Sequence, residues 1–260
     1  MPASIHILRN FMEAVLLLAG YGSRLDRQDI AHKSMLPFGG ETLLSRHLSC
    51  LQELSVGRAH LVLGHNKEAV KDYVRGLNLG MPVNFIDNPV YRTTGNTLSM
   101  VLGFRQSQGD VLIMDGDVLY PRSLFLDYVR GSQPTSFALT AGDIDNEESA
   151  KVLMKPDGTI QAFITKRHFT PEEKNGFGFG GEAIGFFKLS AENVKKFVQL
   201  YEQKEAEYEK VLWEIPFTDF AQTVDLHPWT IARHGCFEID TQEEYDHALA
   251  YFQQHRAVYG

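Results

Sequence analysis

Cysteine is almost absent. The two in 260 residues, Cys50 and Cys236, stand far apart and offer neither a zinc-type spacing nor a disulfide framework. They read as two buried thiols in a reducing compartment. Basic residues are in the minority, 25 Lys and Arg against 33 Asp and Glu, for a formal net charge of −8. That excludes the basic footprint of a general nucleic-acid binder, although a local Lys/Arg cluster can still hold phosphates inside an acidic protein. The longest apolar run, Ala14 to Ala19, is far too short to cross a bilayer. Glu13 interrupts the apolar stretch near the N-terminus and no small-residue cleavage pattern follows, so no signal peptide is expected and the expected compartment is the cytoplasm. Met12 offers an alternative start, which would set residues 1–11 apart. Internal repeats, low-complexity tracts and linkers are also missing.

What is present is ordinary globular composition, 43% hydrophobic and 22% charged, with ample length for one large core. The run 14–19 reads as a buried parallel strand ended by Gly20. Residues 20–40, with glycines at 20, 22, 39 and 40, read as a loop. Helices are expected over 42–54, 67–76 and 96–106, and strands over 60–64, 83–86 and 110–114. Pro121 is placed to open another helix. Alternating strand and helix predicts a doubly wound, mostly parallel sheet. The second half changes character. Segments 136–140, 151–154 and 159–165 read as antiparallel strands, with a turn at Pro156-Asp-Gly158. Residues 177–181 read as a flexible glycine-rich loop, 191–210 as one charged helix and 243–254 as the closing helix. The expectation is one domain over 1–260 with an antiparallel insertion near 140–190.

The segment Leu18-Ala19-Gly20-Tyr21-Gly22-Ser23-Arg24-Leu25 follows the first strand directly. Ligands of open α/β sheets bind beyond the carboxyl ends of the strands. Gly20 and Gly22 let backbone N–H groups approach a polyphosphate, Arg24 supplies forked donors and Lys33 a point charge. The third glycine of the dinucleotide fingerprint and the G-K-[ST] of a P-loop are both missing. With Lys33-Ser-Met-Leu-Pro-Phe38 the whole resembles the signature of the nucleotidyltransferases that activate sugar phosphates and phosphocholine, L-A-A-G-x-G-[ST]-R-L followed by K-[PS]-[LM]-[LV]. His32-Lys33-Ser34 is nearer the phosphocholine cytidylyltransferase branch than the sugar branch, which usually reads Pro-Lys-Pro. Leu18 stands where that family usually has alanine, a position the resemblance puts near the nucleotide base. The fold implied is a Rossmann-like α/β, GT-A-like nucleotidyltransferase fold.

Asp115-Gly116-Asp117 closes a buried strand. Carboxylates there, beside a phosphate loop, suit a hard divalent cation, which takes one or two carboxylates plus phosphate oxygens; a simple turn is the competing reading. Asp117 falls on the aspartate of the family's strand-end motif, and Asp115 is placed on the nucleotide side. Phe237-Glu-Ile-Asp240-Thr-Gln-Glu-Glu-Tyr245 resembles the late W-x-[ED]-[IV]-D-T-x-E-[DE] motif, whose aspartate shares the metal. Thr241 and Glu244 are accounted for as a capping box. Asp117 and Asp240 are thus the expected Mg²⁺ ligands.

Asn88-Pro-Val-Tyr91-Arg-Thr-Thr-Gly95-Asn96-Thr-Leu-Ser99-Met100 resembles N-x-x-[YF]-x-x-x-N-N-x-x-S-[LM] of the phosphocholine branch, with Gly95 in place of the first paired asparagine. Asn88, Tyr91, Gly95, Asn96 and Ser99 join the expected nucleotide site, Asn96 reading base or ribose or else capping the next helix. Residues 181–190 resemble the family's G-E-x-I-G-[IFV]-x-x-[FL]-S, and Tyr208-Glu-Lys-Val-Leu212 resembles its Y-Y-E-D-[VA]-[IL] element. Glu182 and Lys166 are the expected acceptor contacts. The aromatics Phe177, Phe179, Tyr208, Trp213 and Trp229 read either as core or as a cage for a quaternary ammonium.

The resemblance implies Mg²⁺-dependent transfer of CMP from CTP to a small phosphate or phosphonate, of phosphocholine, 2-aminoethylphosphonate or phosphonoformate type, with Arg24 and Lys33 catalytic. A sugar-1-phosphate nucleotidyltransferase using UTP, GTP or dTTP is the alternative. A glycosyltransferase using Asp115-Gly-Asp117 and an inactive nucleotide-binding module follow. No nucleic-acid or membrane partner is expected, and a homodimer is compatible with the sequence.

Overall fold

A strand whose two faces are both apolar must be buried on both sides, and that need organises the molecule. The computed structural model describes residues 11–260 apart from 23, 26, 28 and 232–234. The first half runs β1 (Met12–Leu18), a 3₁₀ turn (Lys33–Met35), β2 (Pro37–Phe38), β3 (Glu41–Thr42), α1 (Leu43–Glu53), β4 (Arg58–Leu63), α2 (Lys67–Gly76), β5 (Val83–Asp87), α3 (Asn96–Phe104), β6 (Asp110–Asp115), β7 (Val118–Leu119) and α4 (Arg122–Gly131). The second runs β8 (Ser136–Thr140), β9 (Lys151–Met154), β10 (Ile160–Ile164), α5 (Pro171–Gly176), β11 (Gly178–Leu189), α6 (Ala191–Gln203), α7 (Glu205–Tyr208), α8 (Glu214–Phe220), β12 (His227–Ile231), β13 (Phe237–Glu238), α9 (Gln242–Gln254) and α10 (Arg256–Tyr259).

Among the described residues the main sheet has the order β10-β9-β11-β6-β1-β4-β5, with β8 on β11 and β12 on β8. β1 pairs in parallel with both β4 and β6. Alternate residues of β1 feed opposite faces, as the period of two requires. Ala14, Leu16 and Leu18 pack with Leu44, Leu48 and Val70. Val15 packs on the other face with Met100, Val101 and Phe104. Strand order reverses between β1 and β6, the switch point at which open α/β sheets leave a crevice beyond the carboxyl ends.

The strands expected near 140–190 continue this sheet: β11 runs antiparallel to β6, β8 and β9. Three expectations are corrected. Residues 178–181, expected as a flexible loop, begin the twelve-residue strand β11. The glycines serve close approach there: Gly181 has φ +116° and a Cβ on it would lie 2.2 Å from the Thr140 carbonyl oxygen. The single helix expected over 191–210 breaks at Lys204 (φ −130°, ψ 28°), whose Nζ donates to Asp219 at 2.7 Å. Pro121 is the N-cap of α4 and not its first residue. The capping box of Thr241 and Glu244 is present on α9. No helix among the described residues is long and apolar enough to cross a membrane.

Candidate active site

The register of β1 with β6 sets Leu17 beside Asp115, so the glycine loop leaving β1 and the acidic turn leaving β6 emerge side by side. Between them opens a cleft of about 300 Å³. Its walls contain Leu18, Ala19, Gly20, Gly22, Arg24, Lys33, Tyr91, Gly95, Asn96, Ser99, Asp115, Asp117 and Asp240. Gly22 has φ +64°, the left-handed backbone that favours glycine, and its Cβ position lies 3.4 Å from the Lys33 side chain.

Asp240 arrives from the far end of the chain. β13 pairs antiparallel with β7, and the Ile239 N–H donates to the Asp117 carbonyl oxygen at 3.1 Å. This short pairing, invisible to strand periodicity, brings the two aspartates together. Lys33 Nζ donates to Asp117 Oδ2 at 2.7 Å and also to Asp240 Oδ1. Arg24 donates to Asp240 Oδ2 at 2.5 Å. Burial pulls the Lys33 ammonium down, but the two carboxylates more than offset this and hold it above its ordinary range. Asp117 Oδ1 is buried without a hydrogen-bond partner. Burial, with Asp117 and Glu238 nearby, pushes the Asp115 carboxyl well above the usual range.

Other expected residues sit differently. Asn88 is 1% exposed and lies behind the cleft: its Nδ2 donates to Ser99 Oγ at 3.0 Å and its Oδ1 accepts from the Val90 N–H at 3.1 Å. Its amide is spent on shaping the 88–90 turn. Asn96 is not a cap, because Gly95 is the N-cap of α3, and its Oδ1 accepts from the Trp213 N–H at 2.9 Å. Leu18 is 1% exposed; its side chain turns into the core against Gly116. Tyr21 is exposed outside the cleft, paired with His65 and under the Arg92 guanidinium. Ser23 lies outside the described residues. Glu182 and Lys166 do not line the cleft: Glu182 accepts from the Asp143 N–H at 3.1 Å, pinning loop 141–143, and Lys166 is exposed. Tyr208 and Trp213 are core, in one cluster with Phe137, Phe187 and Phe217; Trp229 packs on a different cluster, Phe179 is exposed, and none of the five expected aromatics lines the cleft.

His32 and Thr94 were not singled out, yet both line the cleft. Burial pushes the His32 imidazole down to about 4, so it is neutral, and its Nδ1 pairs with Ser34. Its sequence signal was the departure from Pro-Lys-Pro at position 32.

Residues 14–168 match the MobA-like NTP transferase domain. The chain belongs to that family. It is 34% identical over 157 residues, 60% of its length, to CMP-5'-(3-aminopropyl)phosphonate synthase of Streptomyces rubellomurinus, of which it covers 25%. It is 24% identical over 165 residues to the bifunctional protein GlmU of Saccharophagus degradans, covering 62% of this chain and 35% of that protein. The chain thus spans between a quarter and about a third of the length of these curated relatives. Among solved structures it resembles the CTP:phosphocholine cytidylyltransferase of Streptococcus pneumoniae, with TM-score 0.70, 16% identity and coverage of 92% and 98% of the two chains. It resembles a UDP-glucose pyrophosphorylase bound to UDP-glucose with TM-score 0.72, 14% identity and coverage of 94% and 99%. These likenesses show a shared fold.

Proposed function

We propose that this chain transfers CMP from CTP to a small phosphate or phosphonate acceptor and releases pyrophosphate. The observation that carries the reading is the convergence of Lys33, Arg24, Asp117 and Asp240 at the mouth of the glycine loop. An acceptor oxygen attacks the α-phosphorus in line; a new P–O bond forms as the bond to pyrophosphate breaks. A phosphate or phosphonate oxygen is already ionised near pH 7, so no strong general base is needed. Rate then depends on positioning and on neutralising charge. The backbone between Ala19 and Gly22 cradles the polyphosphate, Arg24 holds the departing pyrophosphate, and Lys33 faces the α-phosphate. A glycosyltransferase would have no need of these two cations beside the glycine loop.

Mg²⁺ fits the residues present. Lys33 already shows that Asp117 and Asp240 can share one cation, and Asp117 Oδ1 is an orphaned buried acceptor. No group of three or more His, Cys, Asp or Glu is gathered for a metal among the described residues, yet two carboxylates with phosphate oxygens are the usual Mg²⁺ set. Asp117 and Asp240 would hold the ion, which would supply charge neutralisation at the reacting phosphate.

The preference for CTP is supported by the likeness to an enzyme named for a CMP-phosphonate product. The likeness to GlmU supports the second reading, a sugar-1-phosphate acceptor with UTP, GTP or dTTP. The deciding experiment measures pyrophosphate release with Mg²⁺, crossing CTP, UTP, GTP, ATP and dTTP with phosphocholine, 2-aminoethylphosphonate, phosphonoformate and glucose-1-phosphate. Release confined to CTP and a non-sugar acceptor is expected. Release with glucose-1-phosphate moves the assignment to the second reading. A folded Lys33→Ala protein that keeps full turnover would sink the site assignment.

A further inference from the structure

Resting on that reading of Asp117 and Asp240, we infer that Lys33 holds the divalent-cation position shut until nucleotide arrives, so that metal binds this cleft only with the nucleotide. Three of the four carboxylate oxygens are already taken by cations. Lys33 Nζ occupies Asp117 Oδ2 and Asp240 Oδ1, and Arg24 occupies Asp240 Oδ2. The fourth, Asp117 Oδ1, is buried and unpartnered.

A Mg²⁺ or Mn²⁺ ion needs bare carboxylate oxygens at close range, and an ammonium bridging the same pair excludes it by occupancy and by like-charge repulsion. The Lys33 side chain is only 11% exposed, so solvent screens this competition weakly. Nucleotide supplies what releases the block. The stem of Lys33 lies against Gly22, with the Cβ position of that glycine 3.4 Å from Lys33 Cβ. A rotation of the flexible side chain carries the ammonium from the carboxylates to phosphates in the loop, without backbone movement. The departure leaves two carboxylates facing one another in a half-buried site, an arrangement that draws in a metal. Linkage makes the effect reciprocal: nucleotide raises metal affinity by the same factor that metal raises nucleotide affinity.

The test uses Mn²⁺ as probe, counted by the paramagnetic resonance signal of the free ion, on nucleotide-free protein. Lys33→Met keeps the length of the stem and removes the charge. It should bind Mn²⁺ roughly tenfold tighter than wild type, although it loses transfer activity. Asp117→Asn added to Lys33→Met should abolish the gain, which ties it to this site. Lys33→Gln serves as the second variant, and thermal melting confirms that each protein is folded. Equal Mn²⁺ affinity in wild type and both Lys33 variants overturns the inference, as does a gain that survives Asp117→Asn. The measurement needs no turnover. A chain inactive with every nucleotide would therefore count against the proposed reaction alone, and unchanged Mn²⁺ binding in an active enzyme against the gate alone.

Discussion

A Cβ placed on Gly95 would lie 2.0 Å from the Val211 carbonyl oxygen. The segment 209–213 presses against the start of α3 through several contacts. The Gly95 N–H donates to the Glu209 carbonyl at 2.8 Å, Thr97 Oγ1 to the Val211 carbonyl at 2.8 Å, and the Trp213 N–H to Asn96 Oδ1. Position 95, asparagine in the motif this segment resembles, is glycine here because the crossing backbone leaves no room for a side chain. Gly95→Ala should therefore cost about 1–3 kcal/mol by forced displacement of backbone. For a chain of this length that lowers Tm by roughly 2–4 °C per kcal/mol. Thermal unfolding of the variant checks it, and an unchanged Tm would mean that segment 209–213 moves aside freely.

A second close pair sits under the acidic turn. A Cβ on Gly116 would lie 2.2 Å from Leu18 Cδ2. Gly116→Ala should lower both stability and turnover by pushing Asp115 and Asp117 out of place. Leu18→Ala opens a cavity, and by itself should cost about 2–5 kcal/mol. Combined, each change makes room for the other, so the double variant should be more stable than the sum of the singles by about 0.5–3 kcal/mol. Denaturant unfolding of the four proteins measures this coupling, and strict additivity would refute it.

The proposed metal is tested by chelation. If Asp117 and Asp240 hold it as proposed, EDTA should abolish pyrophosphate release and excess Mg²⁺ should restore it. Asp117→Asn and Asp240→Asn should each reduce turnover at least about 100-fold, which is about 2.7 kcal/mol of barrier. Each variant also gives up one ion pair to the part-buried Lys33 ammonium, so a moderate fall in Tm should accompany the loss of turnover. Full activity in EDTA would refute the metal assignment.

Periodicity made much of the fold legible. The both-sided apolar run at β1, the helix 67–76 and the strands 136–140 and 151–154 were read at their observed bounds or within a residue or two. What escaped has physical reasons. β13 spans two residues and is held by its partner β7, so no local pattern announces it. β12 is paired to β8 along one edge and reads His-Pro-Trp-Thr-Ile, in which Pro228 breaks the strand pattern and apolar and polar residues do not alternate. Gly178 to Gly181 looked mobile because glycine permits two things, flexibility and close approach, and composition cannot distinguish them. The cleft residues near the glycine loop and the two aspartates were legible because the motif spacing carries them. Asn88 and Glu182 were not, because whether an amide or carboxylate faces a ligand or its own backbone depends on side-chain direction.

Glu214 offers a pH test in a part of the molecule that sequence reading passed over. It is 8% exposed, its Oε2 has no hydrogen-bond partner, and burial pushes its carboxyl up to about 7. Below the ordinary carboxyl value near 4.5 it is protonated in folded and unfolded chains alike and contributes no pH dependence. As pH rises from there towards 7 the unfolded chain ionises while the folded chain stays neutral. The unfolded state then binds fewer protons, and stability falls through this window and levels off above it. Glu214→Gln removes the ionisation without changing the shape. The variant should therefore track wild type near pH 4 and gain on it between pH 5 and 7. Above pH 7 it should remain more stable by a constant margin on the order of 1–3 kcal/mol. Urea midpoints of the two proteins across pH 4 to 8 measure the difference. Parallel curves would mean that the Glu214 carboxyl reaches solvent or a cation when the protein is in solution.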